Sequence, residues 1–227
     1  MILNIDLHVH TEYSLDGTVS IDKVVEIAKR RGLNGIAITD HNTIEGALKL
    51  KNNIPKDFIL IIGEEINTLE GEITGFFLKE SIPPGLPSEE TIERIKLQGG
   101  LVSLPHPFCR FRKNKLKLNS INRIIKLIDI IEVYNSRNIF QIDNKKAFEL
   151  AKNNAKLMIV GSDAHIGYEY GQSFIRILPF KNTDEFQKNL SSSEFVCKKS
   201  PVWAHLITKL NKIKFVLNFK VLFNFSD

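Results

Sequence analysis

Residues 6–11 read DLHVHT and end an apolar run that begins at Ile2. Because side chains alternate faces along an extended strand, His8 and His10 are predicted to point the same way from its end. Two imidazoles on one face can clamp a metal ion, although such a pair also fits two hydrogen-bonded surface groups. The positions of the other histidines decide between these interpretations.

The rest of the chain alternates between short apolar runs and helical patterns. Runs typical of buried strands lie at residues 35–40, 58–66, 101–104, 130–134 and 157–160. Amphipathic helical patterns separate most of them. Strands that alternate with helices predict parallel βαβ crossovers, and therefore an α/β fold built as a barrel or a doubly wound sheet.

The composition is that of a folded globular protein. The chain has 227 residues, of which 43% are hydrophobic and 25% charged, which argues against disorder and fits one large domain or two small ones. The formal charge of +5 and a pI near 9.1 favour a phosphorylated or otherwise anionic substrate. This charge is too small to indicate nucleic-acid binding by itself.

Cysteine usage and hydropathy favour a cytoplasmic protein. Cys109 and Cys197 lie far apart without a CxxC spacing, so we expect neither a disulfide framework nor a thiolate zinc site. The first apolar run is interrupted by Asn4 and Asp6, which is not the pattern of a leader peptide. No stretch of about 18 uninterrupted apolar residues predicts a transmembrane helix.

Potential metal ligands stand at the end of nearly every predicted strand. They are His8, His10, Asp40, His41, Glu64, Glu65, His106, Asn135, Asp163 and His165. Five of the six histidines lie there, all but His205. In a parallel barrel these strand ends form one face, which carries the working residues. Imidazoles and carboxylates without thiolate suit zinc, manganese or iron(II), and their number predicts more than one ion.

Six motifs resemble, in order and spacing, the series of the PHP family, the polymerase and histidinol phosphatase superfamily. They are DLHVHTEYSLDG at 6–17, ITDHNTIEGA at 38–47, GEEIN at 63–67, LPHP at 104–107, IEVYNSR at 131–137 and GSDAH at 161–165. The resemblance implies a distorted (β/α)7 TIM-like barrel with two or three divalent metal ions. It also implies metal-dependent phosphoesterase activity, as in stand-alone members.

The resemblance assigns the first two ions residue by residue. It implies that His8, His10, Glu65 and Asp163 hold one ion. Glu65 occupies the glutamate position of the family's G-x-E pattern and would bridge to a second ion that His106 also binds.

The remaining ligands follow from the same resemblance. His41 and His165, with Asp16 as their companion, would hold a third ion or contact the phosphate. Some members place a histidine at the position of Asn135, which implies a more weakly held second ion and leaves the count at two or three. Glu64 would face the other side of its strand.

Two arginines are candidates for phosphate recognition. The guanidinium groups of Arg110 and Arg137 match phosphate oxygens in a two-pronged contact, although loop arginines are often solvated surface charges. Asp40 is expected to orient a neighbouring ligand histidine, and no metal is assigned to it.

The resulting hypothesis is an in-line attack of a metal-bound hydroxide on phosphorus. The metal ions and Arg137 would neutralise the developing charge. Asp163, His41 and His165 form the predicted catalytic group, in which His165 or His41 protonates the leaving alkoxide.

The substrate is predicted by class only. A small phosphomonoester, a nucleotide and a short oligonucleotide end all fit, and the basic loop after His106 favours more than one phosphate. A histidinol-phosphate phosphatase is the alternative within the family. A non-catalytic metal-binding PHP module is the alternative of another class.

The chain divides into a predicted barrel domain, residues 1–200, and a basic amphipathic helical extension, residues 201–227. The apolar positions of this extension that recur at helical spacing are Trp203, Leu206, Ile207, Leu210, Ile213 and Leu217. Its interspersed lysines are Lys209, Lys212, Lys214 and Lys220. Such a helix is predicted to cover the barrel, with peripheral membrane contact as the alternative.

Overall fold

The structure is a computed structural model that describes residues 2–211. Its strands are β1 (Leu3–Val9), β2 (Gly35–Ile38), β3 (Ile59–Asn67), β4 (Glu72–Phe76), β5 (Leu101–Leu104), β6 (Ile130–Asn135), β7 (Leu157–Gly161), β8 (Phe174–Ile177) and β9 (Glu194–Val196). Its helices are α1 (Val24–Arg30), α2 (Glu45–Lys51), α3 (Ser88–Leu97), α4 (Leu118–Ile124), α5 (Gln141–Asn153) and α6 (Thr183–Leu190). Residues 202–211 are also helical.

These strands form one sheet in the order β7-β6-β5-β4-β3-β2-β1-β8-β9. Pairing is parallel from β1 to β3 and from β5 to β7, where helices supply the crossovers. β4 is antiparallel to both of its neighbours, because a short turn joins it to β3. In that turn Gly71 adopts a φ of 146°, and a side chain there would collide with the backbone of Leu116.

The carboxyl end of β7 returns to β1 and nearly closes the barrel. Val9 forms a parallel bridge with Ala164, and the backbone N–H of His10 donates to the carbonyl of Ala164 at 2.8 Å. Nearer the start of β1 the same edge pairs with β8, where Leu3 lies opposite Ile177. The predicted α/β barrel class is confirmed, with β8 and β9 extending the sheet beyond the seven strands of the ring.

Two apolar clusters stabilise this arrangement. The larger contains buried side chains of β1, β3, β5 and β6, such as Leu7, Ile61 and Ile131. The smaller packs α1 and α2 against β2 through residues that include Ala28 and Ile36. The strand ends are thereby held rigidly next to one another.

Within residues 2–211, no helix is both long and apolar enough to cross a membrane. The helical residues 202–211 pack inward through Ala204 and Thr208, which are both buried. Ile213 and Leu217, also part of the predicted extension, lie outside the described residues. The division at residue 200 and the peripheral membrane contact stay predictions.

Candidate metal centre

Five histidines from four strand ends meet at the carboxyl end of the barrel, with His8 and His10 both at the end of β1. The ring of His10 lies 5.2 Å from that of His8, 4.5 Å from that of His41 and 4.2 Å from that of His165, measured between centroids. The ring of His106 lies 5.6 Å from that of His8. The barrel therefore gathers residues as far apart in the chain as His8 and His165.

Glu65 lies between these rings, and each of its carboxylate oxygens faces a different pair of histidines. Its Oε1 atom is 2.8 Å from Nε2 of His106 and 3.5 Å from Nε2 of His8. Its Oε2 atom is 3.2 Å from Nδ1 of His41 and 3.5 Å from Nε2 of His10. A carboxylate that faces two ligand groups in this way can bridge two ions.

The two carboxylate oxygens of Asp163 also face different groups. Oδ1 lies 3.5 Å from Nε2 of His10 and 3.7 Å from Nε2 of His8. Oδ2 accepts a hydrogen bond from the side chain of Asn135 at 3.1 Å and forms an ion pair with Arg112. One oxygen therefore faces the histidines, while the other is held by neighbouring donors.

The separations between the candidate ligand atoms suit coordination of a divalent metal ion better than direct hydrogen bonding between the atoms. Buried atoms without a hydrogen-bond partner among the described residues include Nε2 of His8, Nε2 of His10, Oε2 of Glu65 and Oδ1 of Asp163. Atoms about 2.1 Å from a tetrahedral ion lie about 3.4 Å apart, which is close to the separations found here. Such groups of three ligands recur across the cluster, for example His8, His10 and Glu65.

Hydrogen bonds orient three of the rings so that Nε2 remains available. Nδ1 of His165 donates to the carbonyl of Asp163 at 2.8 Å. Nδ1 of His10 lies 3.1 Å from the Ser14 hydroxyl, whose own proton goes to Asp40 at 2.6 Å. Asp40 therefore supports His10 through Ser14, which is the orienting role expected of it.

The third oriented ring, His8, depends on an acid that sequence reasoning missed. Nδ1 of His8 contacts Oε1 of Glu132 at 2.9 Å. The other oxygen of Glu132 accepts from the backbone N–H of His106 at 2.8 Å and from Asn135 at 3.0 Å. The signal was present, because Glu132 is a lone acid within the buried apolar strand β6.

Two candidate ligands, His106 and Asp163, have an unusual backbone conformation. The φ angle is 26° at His106 and 55° at Asp163, in each case just past the end of a strand. Left-handed backbone is uncommon for residues other than glycine and tends to occur where function constrains the chain. It turns both side chains toward the centre of the cluster.

Burial and neighbouring charge set the protonation states. Burial disfavours the charged form of His8, but the carboxylates of Glu132 and Glu65 outweigh this and raise the pKa of His8 to about 10. Burial holds the pKa of His10 and of His165 well below the usual value. Neutral imidazole is the form that binds metal, so His10 and His165 are ready to act as ligands, whereas His8 would release a proton when an ion binds.

Of the remaining predicted residues, Asp16 and Asn135 lie at the cluster and Glu64 does not. Oδ1 of Asp16 lies 3.5 Å from Nε2 of His165 and 3.7 Å from Nε2 of His41, so the structure brings these three predicted residues together. Glu64 points to the other face of β3, where it accepts from Ser81 at 2.6 Å. Asn135 lies among the ligands, but its side chain donates to two carboxylates, so it supports them in this geometry.

The two candidate phosphate-binding arginines lie in different positions relative to the cluster. Arg137 is buried beside the cluster, where Nη1 donates to Glu169 at 3.2 Å and Nη2 to Thr208 at 3.1 Å. Arg110 does not reach the cluster, because Asp143 at 3.1 Å and the face of the Phe140 ring at 4.7 Å hold its guanidinium. The prediction for Arg110 therefore finds no support in this geometry.

Arg112 enters the site instead, and sequence reasoning missed it as well. It lines a cavity of about 180 Å³ together with Arg137 and His165. It also lines a neighbouring cavity of about 690 Å³ together with Asp16 and His41. Arg112 was one of several cations in the loop after His106, and nothing in the sequence distinguishes it from the others.

An α/β barrel with buried histidines and carboxylates at the carboxyl ends of its strands is the architecture of metal-binding barrel proteins. A family model described as the PHP domain matches residues 6–195, and the chain belongs to this family. The predicted resemblance is thus confirmed. The chain is similar to the uncharacterized protein MJ1587 of Methanocaldococcus jannaschii, at 44% identity over 144 residues that cover 58% of this chain and 81% of the relative.

Two solved structures share the fold at low sequence identity. One is a two-domain protein from Bacteroides vulgatus that contains a predicted PHP-like metal-dependent phosphoesterase, with a TM-score of 0.72, 19% identity and coverage of 87% of this chain. This chain spans 65% of that protein. The other is the lesion-specific endonuclease PfuEndoQ from Pyrococcus furiosus, with a TM-score of 0.65 and 21% identity over 86% of this chain and 58% of that one.

Proposed function

We propose that this protein is a metal-dependent phosphoesterase that hydrolyses a phosphate ester of a small molecule or a nucleotide. The observation that carries the proposal is the convergence of buried ligand atoms of His8, His10, Glu65 and Asp163 that have no hydrogen-bond partner within residues 2–211. Family membership and the printed description of the Bacteroides vulgatus neighbour support the same chemistry.

The ligand set suits two or three manganese, iron or zinc ions. His8, His10, Glu65 and Asp163 would hold one, and Glu65 would share a second with His106. His41 and His165, with Asp16 as their companion, would hold a third ion, and with two ions bound they are left to contact the substrate. When bound, such ions lower the pKa of water and offset the negative charge of phosphate oxygens.

The chain itself supplies phosphate binding and proton transfer. The guanidinium of Arg137 contacts Glu169 and lines the same cavity as His165, where it would bind phosphate oxygens. His41 is the better proton donor to the leaving alkoxide, because its side chain is 19% exposed and lines the larger cavity. The low pKa of His165, caused first by burial, suits a ligand rather than an acid.

The proposal is tested with purified protein loaded anaerobically with manganese, iron(II) or zinc and supplied with a panel of phosphomonoesters and nucleotides. We expect hydrolysis of at least one substrate class, and loss of both activity and bound metal in His8→Ala and Asp163→Ala. Glu64→Gln is the matched control, since this buried carboxylate lies on the opposite face of its strand.

Metal binding without hydrolysis of any panel member would contradict the proposal and favour a non-catalytic metal-binding module. Full activity in Asp163→Ala would also contradict it, because that side chain faces the histidines directly.

A further inference from the structure

The wall of the candidate site includes residues beyond the segment that the family model matches. That segment ends at residue 195. His205 and Thr208 nevertheless line the smaller cavity, and Lys209 lines the larger one. The helical residues 202–211, called here the cover segment, therefore add to the family barrel a surface that faces the metal centre.

Specific contacts hold the cover segment in place. Directly before it, the backbone N–H of Ser200 donates to the carbonyl of Ser136 at 2.8 Å, next to Arg137. Within it, Ala204 is fully buried against the barrel. The Trp203 ring lies 5.1 Å from the Tyr168 ring, measured between centroids.

The cover segment also holds the arginine proposed to bind phosphate. Nη2 of Arg137 donates to the Thr208 hydroxyl, which in turn donates to the carbonyl of Ala204 at 3.0 Å. Glu169 contacts the other terminal nitrogen of the same guanidinium. Arg137 is thus fixed from two sides, one of which belongs to the cover segment.

The sizes of the two cavities limit what can bind. The smaller, about 180 Å³, is below the range of about 300–1,000 Å³ that is usual for organic ligands, so it suits a phosphate group. The larger, about 690 Å³, lies within that range. Asp16, Phe111 and Arg112 line both, so the cavities adjoin one another.

The larger cavity has the chemistry of a nucleotide or sugar phosphate site. Tyr13 and Phe111 offer aromatic surfaces, and Lys113 and Lys209 offer positive charge. An internal phosphodiester would need room for chain on both sides of its phosphorus. The cover segment forms part of the wall of both cavities.

We propose that the cover segment makes the site selective for terminal phosphates. It admits a phosphomonoester whose alcohol is no larger than a single nucleoside, and it excludes the internal phosphodiesters of nucleic acid. This inference rests on the proposed phosphoesterase function and names its substrate class.

The test compares two probes on the metal-loaded full-length protein: p-nitrophenyl phosphate, and a circular single-stranded DNA oligonucleotide that contains only internal diesters. We expect hydrolysis of the first and none of the second. The double variant His205→Ala/Thr208→Ala opens the cover and should raise the ratio of kcat/KM for circular DNA to kcat/KM for the monoester at least tenfold. Leu206→Ala, 60% exposed on the outer face of the same segment, should leave the ratio unchanged.

Emission of Trp203, the only tryptophan in the sequence, reports independently whether the cover segment stays docked. An unchanged ratio in the double variant, whether or not Trp203 emission shifts, would overturn the inference. Wild-type cleavage of circular DNA within tenfold of the monoester would overturn it while leaving the phosphoesterase function intact. Hydrolysis of no phosphate ester at all would remove the proposed function itself.

Discussion

The Nδ1 atom of His8 lies 2.9 Å from Oε1 of Glu132, and both side chains are buried. The second oxygen of Glu132 holds the backbone of His106 and the side chain of Asn135. One carboxylate thus positions groups from three strand ends. A carboxylate behind a ligand histidine fixes its tautomer and strengthens its binding of metal.

Replacing Glu132 should weaken metal binding without unfolding the barrel. Glu132→Gln keeps the shape of the side chain but removes the charge that supports His8, so we expect affinity for zinc to fall about 10-fold to 100-fold. Titration against a competing chelator measures this. Glu64→Gln, which changes a buried acid on the far side of β3, should retain wild-type affinity for zinc. Equal affinities for the two variants would contradict the support of His8 by Glu132.

Arg137→Lys should impair substrate binding more than metal binding. A lysine cannot reproduce the two-pronged guanidinium contact, and a lost hydrogen bond to a charged group costs about 1.5–3 kcal/mol. We therefore expect KM for a phosphomonoester to rise about 10-fold to 100-fold with unchanged metal content. Arg110→Lys is the matched control, because Asp143 holds Arg110 away from the cluster. Similar kinetics for the two variants would argue against phosphate binding by Arg137.

Gly161→Ala should strain the contact that closes the barrel. A Cβ atom there would lie 2.5 Å from Cβ of His8 and 2.7 Å from Oε1 of Glu132. Overpacking of this kind costs about 1–3 kcal/mol, which urea denaturation would show as a lower free energy of unfolding. At Gly167 the nearest atom is the mobile end of Ile27 at 3.3 Å, so Gly167→Ala should cost less than about 1 kcal/mol. The reverse order of the two stabilities would contradict this account of barrel closure.

Acid should loosen the cover segment through His205. Burial, followed by the charges of Arg137, Arg112 and Lys199, lowers the pKa of His205 to about 4 from a usual value of 6.5. Because the docked form binds the proton more weakly, its stability falls as the pH drops from 6.5 to 4. We expect Trp203 emission to change across this window.

The variant His205→Asn provides the control for this pH dependence. It lacks the titrating ring, so its change in Trp203 emission should occur at lower pH or disappear. Coincident pH profiles for the variant and the wild type would show that another group is responsible.

Local spacing and the family resemblance together predicted much of the candidate site. The interval between His8 and His10 implied a shared direction, and their rings do lie side by side. The G-x-E pattern of the resembled family selected Glu65, and strand alternation then put Glu64 on the other face. Glu65 lies in the cluster, whereas Glu64 contacts Ser81 on the far side of β3. Glu132 and Arg112 escaped prediction because their roles depend on partners in other strands, which spacing along the chain does not reveal.

The sequence by itself determined the fold class, because periodicity is a local property, and its motifs around DLHVHT predicted the candidate metal ligands through their resemblance to the PHP series. Only the tertiary structure decided the antiparallel course of β4, the pairing of β8 with β1 and the support of His8 by Glu132. It also decided that Arg112 and Arg137 lie beside the candidate site while Arg110 pairs with Asp143. These features follow from contacts between distant segments, whose geometry exists only once the barrel has closed.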